Sequence, residues 1–225
     1  MNYLVATIKS WNIENFENLK LSHPNDNWHL ITDKNDLTPE KVRAINPRYI
    51  FFPHWSWIIP AEIFDNFECV VFHMTDLPYG RGGSPLQNLI VRGHKDTKLS
   101  AIRVEAGMDT GPIYIKKPLS LEGKAEDIYR RAADLSFDLI KEIIDTNPEP
   151  VKQQGEVVEF KRRKPEDGDI SKLDDMDKIY DHIRMLDAEG YPRAFTQIGN
   201  TRLEFSDAQI KSGQLSAKVN FIKTI

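Results

Sequence analysis

Short apolar runs without internal polar alternation recur through the first 147 residues. Tyr3–Ile8, Trp28–Thr32, Tyr49–Phe52 and Cys69–Phe72 each predict a buried strand. Helical patterns separate these runs, among them a crossover helix at Pro60–Phe64. Strands of this kind, joined through helices, are typical of a parallel sheet covered on both faces. We therefore predict an α/β fold with a Rossmann-like, mainly parallel sheet and helices on both faces.

The clearest helix is predicted at Lys124–Asp145, where apolar residues recur at three- and four-residue steps. These positions are Ala125, Ile128, Ala132, Leu135, Leu139 and Ile143. A further strand is predicted at Thr97–Val104. Thr38 followed by Pro39 indicates another helix start, because threonine caps helices and proline fits their first turn.

A domain boundary is predicted after residue 147, because the prolines in Asn147–Pro150 cannot continue a helix. Beyond it lies a polar stretch, then one helix at Met176–Leu186. Short strands follow from residue 194, with turns at Gly199-Asn200 and Ser212-Gly213. We expect a main domain in residues 1–147 and a small C-terminal α+β region in residues 148–225.

Composition narrows the class of protein. The chain has 225 residues, 40% of them apolar and 28% charged, which is typical of a soluble globular protein. The net charge of −4 predicts no nucleic-acid partner, and neither a signal peptide nor a membrane span is recognisable. We therefore expect a cytoplasmic protein. A single cysteine, Cys69, excludes an internal disulfide, and no cluster has metal-ligand spacing.

Candidate chemistry begins where His73 follows an apolar strand. In sheets of the predicted type, ligands bind beyond the carboxyl ends of the strands. A glycine-rich loop with Gly80, Gly82 and Gly83 comes next, and Ser84 then caps a helix. A histidine bonded to local backbone and a plain mobile loop are the alternative interpretations.

Asp109 is the second candidate. It follows the strand predicted at Thr97–Val104 and lies between Gly107 and Gly111, so a ligand can approach its backbone closely. A simple turn cap is the alternative interpretation. The residues alone do not decide between the two.

Several landmarks together resemble the formyltransferase family, which includes glycinamide ribonucleotide, methionyl-tRNA and nucleotide-sugar formyltransferases. The resemblance covers about residues 49–111, and Asp109 lies 36 positions after His73. The matching landmarks are His73, Leu77-Pro78, Arg81-Gly82, Pro85 and Asp109-Thr110-Gly111. It implies His73 and Asp109 as catalytic residues and 10-formyltetrahydrofolate as the cofactor. It places the folate pocket at Trp55, Trp57, Ile58, Ile59, Met108 and Asp109.

The sequence departs from the family at one position that concerns chemistry. The family's asparagine, two residues before the histidine, is replaced here by Val71, which has no donor for the formyl oxygen. We expect another donor to replace it. Thr75, Gln87, Asn88 and the N–H groups of the glycine-rich loop are the candidates.

The acceptor is predicted from a weaker resemblance beyond the boundary. Arg162–Ile170, Ile179–Leu186 and Tyr191–Phe195 are similar to segments of nucleotide-sugar formyltransferases. This implies an amino deoxysugar linked to a nucleotide as the substrate, destined for surface polysaccharide or a pseudaminic-type sugar, and allows a homodimer. The implied substrate-binding residues are Thr75, Tyr79, Arg81, Gly82, Gly83, Gln87, Asn88, Arg162, Arg163, Arg184 and Tyr191. The alternatives are a methionyl-tRNA formyltransferase, a non-catalytic folate- or sugar-binding homologue, and a hydrolase of formyl-folate.

Overall fold

The structure is a computed structural model that describes residues 1–224. Its central sheet has six strands, which are β1 (Asn2–Ala6), β2 (Asn27–Ile31), β3 (Tyr49–Phe52), β4 (Cys69–His73), β6 (Asp96–Arg103) and β7 (Ile113–Ser120). They lie in the order β2-β1-β3-β4-β6-β7. β5 (Tyr79–Gly82) pairs with β8 (Val158–Phe160), and a three-stranded sheet contains β9 (Ala194–Ile198), β10 (Thr201–Lys211) and β11 (Gln214–Lys223).

The predicted fold class is confirmed. β1 to β4 pair in parallel, whereas β6 runs antiparallel to β4. Leu4 and Val5 are adjacent in β1 and both fully buried. Since consecutive side chains of a strand point to opposite faces, both faces of the sheet are covered.

Six α-helices occur among residues 1–224. They are α1 (Ser10–Ser22), α2 (Pro39–Ile45), α3 (Ala61–Phe64), α4 (Pro85–Val91), α5 (Ala125–Thr146) and α6 (Met176–Arg184), with short 3-10 helices at Lys34–Asp36 and Pro165–Gly168. α2 begins as predicted: the Thr38 hydroxyl accepts from the Lys41 N–H at 3.2 Å. The sequence analysis missed α1, where only a few apolar residues are buried, and β7, which contains two lysines and a proline.

α4 begins as predicted, with Ser84 at the N-cap position and Pro85 in the first turn, but the Ser84 side chain does not cap the helix. Ser84 precedes α4 with a left-handed backbone, φ 51°, and makes no side-chain cap. Its hydroxyl instead accepts from the backbone N–H of Arg163 at 3.0 Å. A partner distant in sequence has displaced the local hydrogen bond.

The chain forms two compact units, neither continuous in sequence. The first contains residues 1–81, 98–119 and 130–159, and includes most of the central sheet. The second contains residues 82–97 and 120–129 and, of the described chain, residues 160–224. Within residues 1–224, no helix is long and apolar enough to cross a membrane.

Candidate active site

His73 is the last residue of β4, and its imidazole is nearly buried, with 8% exposed. Nε2 lies 2.7 Å from the carbonyl oxygen of Gly80. A carbonyl can only accept, so Nε2 carries a proton. The Thr75 hydroxyl, also buried, donates to the same carbonyl at 3.3 Å. The ring orientation is therefore fixed through the Gly80 carbonyl.

Asp109 lies beside the other ring nitrogen. Its Oδ2 is 3.5 Å from His73 Nδ1, and its side chain is largely buried. The backbone of Asp109 has φ 54°, a left-handed conformation that aspartate tolerates better than most residues. Because β6 is antiparallel to β4, Arg103 pairs with Val70 and the loop starts at the far end of β4. The loop must fold back to bring Asp109 to His73.

Gly111 makes this return possible. A Cβ on Gly111 would lie 1.7 Å from the carbonyl oxygen of Arg103, so the hairpin accepts only glycine here. The Thr110 hydroxyl donates to the Ala106 carbonyl at 3.2 Å and closes the loop on itself. The Asp-x-Gly spacing seen in the sequence therefore has a steric basis.

The two contacts assign different tasks to the ring nitrogens of His73. Nε2 is fixed to Gly80 and orients the ring. Nδ1 is too far from Asp109 for a strong hydrogen bond but close enough for its carboxylate to stabilise positive charge. Such a pair can accept a proton at Nδ1 during a reaction.

Val71 lies on the same strand face as His73, since the two are two residues apart in β4. It packs against the apolar cluster that also contacts Trp55 and Val104. The position that holds an amide in the resembled family is therefore occupied by a packed apolar group.

The side-chain donors proposed to replace that amide are engaged elsewhere. The Gln87 Nε2 donates to the Tyr129 hydroxyl and the Met185 carbonyl, each at 3.0 Å. The Asn88 Nδ2 donates to three carbonyls, at 2.9 to 3.0 Å. Thr75 is bonded to Gly80. Sequence pattern does not predict these hydrogen bonds, because Gln87 and Asn88 each have a partner at least 73 positions away along the chain.

The segment after β3 presents exposed apolar side chains that a partly apolar ligand such as a pterin would cover. Trp57 and Ile58 are exposed although they are large and apolar, as is Met108 in the Asp109 loop, whereas Ile59 is buried. The Trp55 indole Nε1 is buried without a hydrogen-bond partner, which is costly unless a ligand or water accepts from it. These residues would hold the folate. Their assignment to the cofactor stays a prediction.

His54 directly follows Pro53 and is largely enclosed, with its ring edge-on to Trp11 at 6.3 Å. Burial, and secondarily the charge of Lys9, lowers the pKa of His54 to about 4. His54 is therefore neutral at physiological pH and is packed rather than poised for acid–base chemistry.

We expect the pH dependence of stability to reveal this histidine. Between pH 6.5 and about 4 the unfolded chain binds a proton at His54 that the folded chain does not, so the free energy of unfolding falls as pH is lowered. The loss is roughly 1–3 kcal/mol. Urea unfolding at several pH values gives the free energy of unfolding, which should depend less steeply on pH in His54→Asn than in the original chain. Asparagine is chosen because it tolerates the positive φ of 53° at this position. An equal pH dependence of the free energy of unfolding in the two proteins would contradict the lowered pKa of His54.

The glycines predicted to bind substrate allow close backbone contact. A Cβ on Gly82 would lie 2.5 Å from the Phe160 carbonyl oxygen, and one on Gly83 would lie 2.5 Å from Arg162 Cβ. The Gly83 N–H donates to the Phe160 carbonyl at 3.1 Å. The close approach of Phe160 and Arg162 therefore explains why glycine stands at both positions, without a bound ligand.

Several other predicted substrate residues are fixed by protein contacts. Arg184 is buried and donates to Asp181 and to the Leu121 and Gly123 carbonyls. Tyr191 stacks on Tyr129 at 5.1 Å, and burial raises its pKa.

The remaining predicted substrate residues are less enclosed. Arg163 donates to the Asp167 carbonyl, and burial and nearby Arg92 lower its pKa. Arg162 is exposed, and Tyr79 is half-buried at the start of β5. The substrate role of the whole set stays a prediction.

Gln153 was missed by the sequence analysis. It contacts the carbonyls of Asp109 and Gly111 through Nε2, and Arg81 through Oε1. It lies in the polar stretch after Pro150, where sequence pattern indicates only a solvated connection. No local signal could have found it.

Comparison with known proteins gives two family matches. A model described as formyl transferase matches residues 19–144, and one described as methionyl-tRNA formyltransferase, C-terminal domain, matches residues 165–222. A curated methionyl-tRNA formyltransferase from Thermodesulfovibrio yellowstonii is 27% identical, covering 80% of this chain and 60% of that protein. One from Sulfurovum sp. is 30% identical, covering 71% and 53%. The chain thus spans less than two thirds of these relatives.

Solved structures add a nearer match. A structure described as methionyl-tRNA formyltransferase from Clostridium thermocellum has 58% identity and a TM-score of 0.97, covering 99% of both chains. HypX from Aquifex aeolicus in complex with tetrahydrofolic acid has a TM-score of 0.75 at 15% identity, over 95% of this chain and 40% of that one. A sugar N-formyltransferase from Shewanella sp. has a TM-score of 0.73 at 13% identity, over 92% and 96%. The last two show the fold alone.

The predicted acceptor and its pathway are wrong. A nucleotide-linked amino sugar and polysaccharide biosynthesis conflict with the 58% identical structure and the curated relatives, all described as methionyl-tRNA formyltransferases. The prediction of no nucleic-acid partner is wrong for the same reason. It used a net charge of −4, which averages over the surface and does not report a local basic segment such as Lys161–Lys164.

The predicted family is confirmed, because the formyl transferase model matches residues 19–144, more than half of the chain. The expectation of a formyl-transferring enzyme family that uses 10-formyltetrahydrofolate is confirmed with it. This chain belongs to the formyl transferase family.

Proposed function

We propose that this chain transfers the formyl group of 10-formyltetrahydrofolate to the amino group of methionyl-tRNA. The observation that carries the proposal is the 58% identity over 99% of both chains to a structure described as a methionyl-tRNA formyltransferase. The C-terminal match at residues 165–222 supports the same acceptor.

We propose His73 and Asp109 as the catalytic residues. When bound, 10-formyltetrahydrofolate supplies the formyl carbon. Transfer to an amine moves a proton from the amine nitrogen to the departing folate nitrogen, and in this proposal His73 Nδ1 accepts that proton and returns it while Nε2 stays bonded to Gly80. The Asp109 carboxylate, 3.5 Å from Nδ1, stabilises the resulting imidazolium.

The domain boundary at residue 148 and a cytoplasmic location are part of this proposal. The two family models end at residue 144 and begin at residue 165, which supports a division between them. A cytoplasmic location agrees with methionyl-tRNA as the acceptor, because aminoacylated tRNA is used in translation.

Formylation of charged initiator tRNA tests the proposal. The purified chain is incubated with 10-formyltetrahydrofolate and methionyl-tRNA, and the amino acid is released and analysed by mass spectrometry. Formyl-methionine is expected. Release of formate without formyl-methionine, or no reaction, would overturn it. Uncharged tRNA is the control.

Val71→Asn tests whether this position still faces the reacting oxygen. We expect kcat to be unchanged or raised, because the amide adds an oxyanion donor. Stability should fall by about 1–2 kcal/mol, because an amide replaces an apolar side chain packed on the core. The measurements are the formylation rate and urea unfolding. A lower kcat in a folded variant would contradict the expectation.

A further inference from the structure

Gln153 lies between α5 and β8 and is half-buried. Its Nε2 donates to the carbonyl oxygens of Asp109 at 2.7 Å and of Gly111 at 2.8 Å. Its Oε1 accepts from Arg81 Nε at 3.1 Å and Nη2 at 2.8 Å. Both amide protons and the oxygen are therefore engaged.

These contacts join the two segments on either side of the His73 imidazole. Arg81 directly follows Gly80, whose carbonyl is bonded to Nε2. The loop at Asp109 places its carboxylate beside Nδ1. We infer that Gln153 is a positioning residue, which fixes the distance between the Asp109 carboxylate and the His73 imidazole for the proposed formyl transfer.

The surroundings explain why such a support is needed. Asp109 has a left-handed backbone, which surrounding structure must hold in place. The carboxylate is in a loop that returns from the far end of β4, so its position depends on contacts beyond its own hairpin. Segment 151–153 provides a firm base: Val151 and Ile113 exchange two backbone hydrogen bonds of 2.8 Å.

Gln153→Ala removes both contacts. We expect kcat to fall by about 100-fold, because a shift of about 1 Å in a catalytic group has effects of this size. KM for 10-formyltetrahydrofolate should change by less than about threefold, because most residues predicted to hold the folate lie in the segment after β3, to which Gln153 makes none of its four hydrogen bonds. Gln154→Ala is the matched control, since Gln154 is the adjacent, exposed residue. It should keep the original rate.

Gln153→Glu separates the two halves of the contact. The carboxylate keeps the bond to Arg81 but has no N–H for the carbonyls of Asp109 and Gly111, which it would repel. We expect a loss at least as large as in Gln153→Ala. Near-normal kcat in Gln153→Glu would overturn the inference. This variant also replaces Gln153→Ala in the assay if the alanine variant fails to fold.

An NMR measurement separates this inference from the proposed function. The ring nitrogens of histidine-labelled protein are compared in the original chain, Gln153→Ala and Gln154→Ala, with His73 assigned through His73→Ala. We expect the His73 signals to change in Gln153→Ala alone. Unchanged signals would overturn the inference. A chain that fails to formylate methionyl-tRNA would end the proposed function, but the NMR comparison would still decide the role of Gln153.

Discussion

Replacing His73 by alanine is expected to lower kcat for formyl transfer by about 10³-fold, within the range typical of general acid–base catalysis. The variant loses the acceptor at Nδ1 and the anchor of Nε2 to Gly80. KM for 10-formyltetrahydrofolate should change little, because the residues predicted to hold the folate lie mainly in the segment after β3. The measurement is steady-state formylation of methionyl-tRNA.

His94→Ala is the control for this prediction. His94 lies in the turn after α4 and belongs to the second compact unit, whereas His73 belongs to the first. Urea unfolding verifies that both variants fold, since His73 is buried at the end of β4. A folded His73→Ala variant that retains more than about a tenth of the rate would be incompatible with this catalytic role.

Asp109→Asn is expected to lower kcat by about 10²- to 10³-fold, because an amide cannot stabilise the imidazolium formed at Nδ1. Asparagine is nearly the same size and tolerates the positive φ of 54°, so the loop should keep its conformation. Alanine would confuse the loss of charge with backbone strain. The rate is measured by the same formylation assay across pH.

Glu105→Gln provides the matched control in the same loop. Glu105 is exposed, and its carboxylate forms a surface ion pair with Arg103 at 3.3 Å. Removing its charge should therefore leave kcat unchanged. If Glu105→Gln and Asp109→Asn lose rate equally, the effect belongs to general charge in the loop. Asp109 would then have no special role.

The parallel core was predictable because each strand carries its own signal. Tyr49–Phe52 was predicted with the bounds that the structure has, and α5 differs by one residue at each end. Buried strands and amphipathic helices repeat local patterns that do not depend on partners. β7 was not predicted, because its lysines and proline break that pattern. The sheet tolerates these residues there because β7 is an edge strand.

The candidate site was predictable only in part. His73 and Asp109 were found from spaced landmarks that resemble a family, and their residue types agree with the chemistry. Their meeting could not be derived from strand order, because β6 is antiparallel and its loop begins at the opposite end of β4. Gln87 and Asn88, suggested as replacement donors, could not be rejected from sequence, because each has a partner distant along the chain.

The amino-acid sequence by itself determined the α/β class, the position of His73 after an apolar strand and the glycine that the Asp109 loop requires. These are local properties of the chain. Tertiary structure alone decided that Ser84 bonds to Arg163, that Val71 packs against the core, and that Gln153 joins Arg81 to the Asp109 loop. Such contacts arise when distant polar groups must find partners in a closed fold, and no local pattern records them.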